Sequence, residues 1–154
     1  MSTSPGAPTS PSSGPASGPS RPAGDQALVA APIVGIQSGK CVEAAGGTTA
    51  DLTPIELARC DDGAAQAISY TSVGELRVLG KCLDAKGAGT GNGTPIVLFT
   101  CNAQPNQKWH LGSDATIRGA QSNLCLDATG FGTADGTPLQ LWSCTGGTNQ
   151  AWNS

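Results

Sequence analysis

Six cysteines fall into a register that repeats three times. Cys41 and Cys60, Cys82 and Cys101, and Cys125 and Cys144 are each 19 positions apart, and successive pairs are offset by 41 and then 43 positions. The flanks repeat with them. Gly39-Lys40-Cys41-Val42-Glu43-Ala44, Gly80-Lys81-Cys82-Leu83-Asp84-Ala85 and Asn123-Leu124-Cys125-Leu126-Asp127-Ala128 share one frame. So do Thr53-Pro54-Ile55-Glu56-Leu57-Ala58-Arg59-Cys60, Thr94-Pro95-Ile96-Val97-Leu98-Phe99-Thr100-Cys101 and Thr137-Pro138-Leu139-Gln140-Leu141-Trp142-Ser143-Cys144. Six residues past each second cysteine stands Gln66, Gln107 or Gln150, and two residues further stands Ile68, Trp109 or Trp152. A register kept at so many positions means three tandem copies of one unit, at about 30–72, 73–114 and 115–154.

Glycine and proline decide what the unit is made of. The longest stretches free of both, Ala64–Val73 and Ala120–Thr129, are ten residues long, so a helix of average length has no room. Short strands between Gly-rich turns follow, and the class is all-β. Each repeat is read as four strands. The first precedes the first cysteine (Ile33–Ile36, Leu76–Leu79, around Ile117), and the second carries it. The third starts at a proline, where no ladder bond is lost, and the fourth follows the glutamine. Asn92-Gly93 and Asp135-Gly136 mark hairpin turns between second and third strands. In the third strand, Leu139-x-Leu141 points one face inward and leaves Trp142 out of phase with it. Phe99 has the same phase, whereas Trp109 and Trp152 are expected in the core.

The repeat selects three disulfides among 15 possible pairings: Cys41–Cys60, Cys82–Cys101 and Cys125–Cys144. Disulfides imply an oxidising compartment and a secreted protein, although no apolar signal segment follows Met1. The expectation is therefore that the chain is a fragment or begins at a misassigned start. Residues 1–24 hold six Pro, four Gly, seven Ser and two Thr and none of the 26 Leu, Ile, Val and Phe residues. A segment with nothing to bury is expected to be a disordered linker over 1–26, joined to something upstream, with the domain at 27–154.

Several functions are disfavoured. The net charge is −3 and the eight Lys and Arg are scattered, which argues against a nucleic-acid partner. No apolar run approaches the ~20 residues of a bilayer-spanning helix. With no Cys-x-x-Cys spacing and one histidine, His110, a zinc site lacks ligands and a histidine-based triad has no second candidate. Gly87–Gly93 is a turn rather than a phosphate loop, and the same turn accounts for the Asn92-Gly93-Thr94 sequon. Each repeat offers one carboxylate where a glycosidase needs two opposed ones. No catalytic residue, cofactor or metal is expected.

Cys-Leu-Asp, then Gln-Leu-Trp two residues before the next cysteine, then Gln-x-Trp: this combination resembles the ricin-type β-trefoil lectin family, over residues about 30–154. The resemblance implies a pseudo-threefold β-trefoil with one shallow sugar pocket per repeat. In that family the Asp after the first cysteine accepts from vicinal sugar hydroxyls, and the aromatic two residues before the second cysteine is the stacking platform. The polar residue four before that cysteine and the Asn before Gln-x-Trp complete the pocket, and the Gln and Trp of Gln-x-Trp support it. The chemistry suits a pyranose, which has an apolar C–H face and a hydroxyl rim.

On this basis the third repeat carries the full set, Asp127, Gln140, Trp142, Asn149 and Gln150. The second carries Asp84, Phe99, Asn106 and Gln107, with Val97 in place of the rim polar residue. The first has Glu43, Ala58 and Ala65 at the corresponding places and is expected to bind little. The expected function is non-catalytic binding of galactose-, xylose- or related sugar-containing glycans, weak per site and multivalent, tethering an upstream catalytic domain to polysaccharide. A protein-binding trefoil, an inhibitor or adhesion module, is the alternative.

Overall fold

The computed structural model describes residues 29–154. The expected linker over 1–26 and the first two residues of the expected domain lie outside the described residues. Twelve short strands are found there. In chain order they are β1 (Val34–Gly35), β2 (Cys41–Ala44), β3 (Ile55–Ala58), β4 (Ser69–Tyr70), β5 (Leu76–Val78) and β6 (Lys81–Ala85). They continue with β7 (Ile96–Phe99), β8 (Trp109–Leu111), β9 (Ile117–Gly119), β10 (Cys125–Ala128), β11 (Leu139–Trp142) and β12 (Trp152–Asn153). Two single-turn 3-10 helices per repeat complete the inventory, one after the strand that carries the first cysteine and one at the glutamine.

The strands form three antiparallel four-stranded sheets, β12-β1-β2-β3, β4-β5-β6-β7 and β8-β9-β10-β11. These hydrogen-bonded units are cut one strand earlier than the sequence repeats. The last strand of each repeat joins the sheet of the next, and β12 closes the circle on β1 through Trp152↔Gly35. The first strands are shorter than expected. Ile36 lies outside β1, and Leu79 (φ 55°) with Gly80 (φ 76°) forms the two-residue turn between β5 and β6. Asn92-Gly93 does not make such a tight turn. It lies inside the longer connection between β6 and β7, where Thr94 N–H donates to Gly91 O at 3.2 Å.

The hairpins interlock the repeats in a ring. Leu57 N–H donates to Thr137 O, Leu98 N–H to Thr53 O and Leu141 N–H to Thr94 O, at 2.8–2.9 Å. The turn residues then cap the neighbouring strand. Asp51 accepts from Thr100 N–H, Asn92 from Ser143 N–H and Asp135 from Arg59 N–H, at 2.8–2.9 Å. Each of these bonds satisfies backbone at the end of a strand that its own sheet leaves unpaired.

The core is a threefold set of inward side chains: Val42, Leu83 and Leu126; Ile55, Ile96 and Leu139; Leu57, Leu98 and Leu141. Trp109 and Trp152 are buried as their phase requires, and their indole N–H groups donate to Leu83 O and Leu126 O at 3.1 and 3.0 Å. Each faces a glycine across the sheet, Gly119 and Gly35. In the remaining sheet, Ile68 stands opposite Val78 by extension of the Ser69↔Arg77 register. A large ring against no side chain is thus exchanged for two medium ones, which keeps the volume. A Cβ on Gly35 would meet Trp152 Cζ3 at 3.3 Å and Ser38 Oγ at 2.8 Å. Gly35→Ala is expected to cost about 1–3 kcal/mol by overpacking, read as a lowered urea midpoint at unchanged slope.

The three bridges are Cys41–Cys60, Cys82–Cys101 and Cys125–Cys144, one inside each repeat.

Candidate carbohydrate-binding site

The third repeat builds the most complete pocket. Asp127 lies on β10 directly opposite Gln140 on β11. Leu139 and Leu141 point into the core, so Gln140 and Trp142 share the outward face of that strand. Asp127 is 4% exposed, and three amides hold its carboxylate. Gln140 Nε2 donates to Oδ1 at 3.0 Å, while Asn149 Nδ2 and Gln150 Nε2 donate to Oδ2 at 3.1 and 2.9 Å. A carboxylate has about four lone-pair sites, so capacity remains for one more donor. Asn149 Oδ1 is the one buried side-chain polar atom without a partner among the described residues, and Asn149 lines the pocket. A buried acceptor without a donor is costly unless a ligand supplies one.

Beside these acceptors lie two apolar walls. Trp142 is 40% exposed and Phe131 is 58% exposed, and both line a cleft of about 460 Å³ with Asp127, Gln140 and Asn149. Phe131 was not among the residues expected from sequence. It occupies a left-handed position (φ 58°) in the turn Thr129–Phe131, where the other repeats place Gly47 and Ala88. A bulky residue at positive φ costs free energy. The only sequence signal for it was an aromatic placed between two glycines.

Gln150 and Gln107 stand behind the pockets rather than in them. Gln150 donates both to Asp127 and to Ser143 O (2.9 Å) and accepts from Thr145 N–H (2.8 Å). Gln107 does the same with Asp84 (2.8 Å), Thr100 O (3.0 Å) and Asn102 N–H (2.9 Å). Both are fully buried with their hydrogen bonds spent inside the protein. They orient the acid and tie it to the strand end, which is the supporting role that the resemblance implies for the Gln of Gln-x-Trp.

The second pocket brings Asp84, Phe99 and Asn106 together in a cleft of about 460 Å³. Val97 is buried opposite Asp84 in the position of Gln140, so one carboxylate oxygen lacks its amide. Leu52 lines this cleft from the hairpin of the preceding repeat. Its left-handed position (φ 75°) is filled by Gly93 and Gly136 in the other repeats. Burial pushes the Asp84 carboxyl above the ordinary aspartate range; the amides of Gln107 and Asn106 pull against this, and the nearby Asp51 charge adds to it. The native state therefore takes up a proton more readily than the unfolded chain. The Asp84 contribution to stability is unfavourable once the pH exceeds its raised pKa and vanishes below the ordinary value.

The first pocket has no aromatic residue. Glu43, held by Gln66 Nε2 at 2.7 Å, faces Glu56 across the sheet, and Ala65 and Gly47 line the hollow. Burial raises Glu56, and the charges of Glu43 and Asp135 raise it further. His110 is an exposed residue of β8. Glu75 approaches Cys82 and Cys101, but those two sulfurs are bonded to each other and Glu75 pairs with Arg77 at 2.8 Å, so the group offers no metal site.

The sequence profile of the ricin-type β-trefoil lectin domain matches residues 29–152. The chain belongs to this family. Its fold is that of a carbohydrate-binding lectin domain. No curated protein matches the sequence. Among solved structures, the chain is similar to the designed threefold-symmetric protein ThreeFoil, with 26% identity and a TM-score of 0.75, covering 79% of this chain and 94% of that one. It is similar to a non-toxic type II ribosome-inactivating-protein homologue from Momordica charantia, solved with α-methyl-D-galactoside (26%, TM-score 0.74, 83% and 47% covered). A third is an exo-β-1,3-galactanase from Clostridium thermocellum (25%, TM-score 0.76, 82% and 30% covered). This lectin domain thus spans under half of the latter two chains.

Proposed function

We propose that this ricin-type domain is a non-catalytic carbohydrate-binding module for galactose-, xylose- or related sugar-containing polysaccharides. Its principal site is the third pocket, its weaker site the second, and the first is silent. The observation that carries the reading is the third pocket's pairing of an amide-held buried carboxylate and a partnerless Asn149 Oδ1 with two exposed aromatic rings. A sugar ring presents what this arrangement lacks: hydroxyl donors for the two acceptors and a C–H face for the rings. The galactoside bound by the Momordica relative supports the sugar class. The short share of the galactanase that the domain spans supports a role beside a catalytic unit. We read residues 1–26 as the linker to such a hydrolase, and the three disulfides as favouring a secreted protein.

Each pocket forms few bonds that water does not also offer, so one site is expected near millimolar, about −4 kcal/mol. Two sites on one polymer then act through effective concentration. Titration calorimetry should find a polysaccharide bound much more tightly per sugar unit than its monosaccharide, with retention on the immobilised polymer reversed by free sugar. Equal affinity per sugar unit refutes multivalency, and no retention on any galactose- or xylose-containing polymer refutes the function. Because Asp84 accepts sugar hydroxyls as a carboxylate, acidification should abolish second-pocket binding at a higher pH than an ordinary aspartate of about 3.9 allows. Sugar-induced NMR shifts of the Asn106 amide, followed from about pH 6 to 4, check this.

A further inference from the structure

The three pockets share one frame, so their differences serve as an internal comparison. Two residues past the pocket acid the first repeat carries Ala45, the third Thr129 and the second Lys86. Lys86 opens the turn Lys86–Ala88 and lines the second pocket with Asp84 and Phe99. Its side chain is exposed, and its ammonium has no ion-pair or hydrogen-bond partner among the described residues. Lys81, on the strand before it, is by contrast bound to Asp51 at 2.9 Å.

Two neutral amides line the same cleft. Asn102 and Gln104 stand where the third repeat has Thr145 and Gly147. Asn102 Oδ1 accepts from Gln104 N–H at 3.0 Å, which leaves the Asn102 side-chain N–H groups uncommitted. Charge distinguishes the pockets as well. The first is lined by Glu43 and Asp61 and the third by Asp127, each without a cation, whereas the second sets Lys86 against Asp84. The two are placed at different depths: Asp84 is buried and Lys86 lies at the exposed mouth.

We infer that the second pocket takes a uronic acid residue. The inference rests on the carbohydrate reading of these pockets and names the sugar class of one of them. Ring hydroxyls donate to Asp84 at the floor, and Phe99 with Leu52 meets the C–H face. The carboxylate on C5 lies at the mouth, against the Lys86 ammonium and the amides of Asn102 and Gln104. The depth difference keeps the ligand carboxylate away from that of Asp84, and the bond that Lys86 donates to it is charge-assisted. With a neutral third pocket and an acid-accepting second one, the domain selects polysaccharides that carry both neutral and acidic sugar units.

The test is a residue-resolved NMR titration of the full chain. The ligands are the methyl glycosides of glucuronic and galacturonic acid, each against the matched glucose or galactose glycoside. The acidic ligand is expected to shift the side-chain amides of Asn102, Gln104 and Asn106 at about three- to tenfold lower concentration than its neutral partner. Gln140 and Asn149 should show no such preference. Lys86→Gln should abolish the preference while the Gln140 and Asn149 shifts of the third pocket persist, whereas Arg59→Gln, an equal charge change on an exposed residue elsewhere, should leave the preference unchanged. The preference should shrink in about 0.5 M salt, because the cation is exposed. Equal titration by acidic and neutral ligands, a preference that survives Lys86→Gln, or an equal loss in Arg59→Gln each overturns the inference while leaving sugar binding standing. Shifts confined to the third pocket do the same. Absence of shifts at both pockets overturns the carbohydrate reading itself, and this inference with it.

Discussion

Trp142→Ala should lower the third pocket's sugar affinity by about 2 kcal/mol, roughly thirtyfold, and leave the melting temperature almost unchanged. The two halves of this result have separate causes. Trp142 ends β11 on its outward face, between a strand whose leucines face the core and a cleft that it walls with Phe131. Truncation therefore removes contact surface for a ligand and little for the fold. Trp152→Ala is the control of opposite sign. That ring is buried, packs over Gly35 and donates to Leu126 O at 3.0 Å. Its loss should cost about 3–5 kcal/mol of stability, with an unpaired buried carbonyl left behind. Calorimetric titration and thermal melts of both variants separate the roles. A Trp142→Ala protein destabilised as much as Trp152→Ala would show that the Trp142 ring belongs to the core.

Reduction of the disulfides is expected to lower the melting temperature by about 27–36 °C. Each bridge closes a loop of about 20 residues, worth roughly 3 kcal/mol in the chain-entropy model. Three such contributions rival the whole stability of an ordinary domain, about 5–15 kcal/mol, and a degree-per-kilocalorie scale of about 3–4 converts them to this shift. The strands are only two to five residues long, so local β-structure has little independent stability. Titration of the denatured, unreduced protein should find no free thiol, since all six cysteines are bridged. Several titratable thiols, or an unchanged melting curve after reduction, would contradict the expectation.

Much of this domain follows from periodicities that a short stretch of chain carries by itself. The spacing of the cysteines determines the bridges, because the same pairing must hold in every copy of a repeat. The alternation Leu139-x-Leu141 determines that Trp142 faces outward, since successive strand side chains point to opposite faces. Trp109 and Trp152 are inward by the same rule. Asp127, Gln140 and Asn149 come from three separated segments; periodicity alone does not single them out, and it is the resemblance to the ricin-type lectin family that names them together, at fixed offsets from a cysteine or from Gln-x-Trp.

What the tertiary structure alone decides are relations between repeats and between turns. The sheets are offset by one strand from the sequence units because the final strand of each repeat finds its hydrogen-bond partner in the next, and no local pattern names that partner. Leu52 reaches the second pocket only because the first hairpin is hydrogen-bonded against β7, with Leu52 N–H on Leu98 O at 2.7 Å. Phe131 enters the third pocket because its turn is left-handed, a conformation that the residue itself disfavours. The partners through which Gln107 and Gln150 give their support come from the fold as well: three converging backbone and carboxylate groups use up each amide. Strand phase and covalent pairing are written in neighbouring residues, whereas the depth of a side chain depends on which distant backbone packs over it.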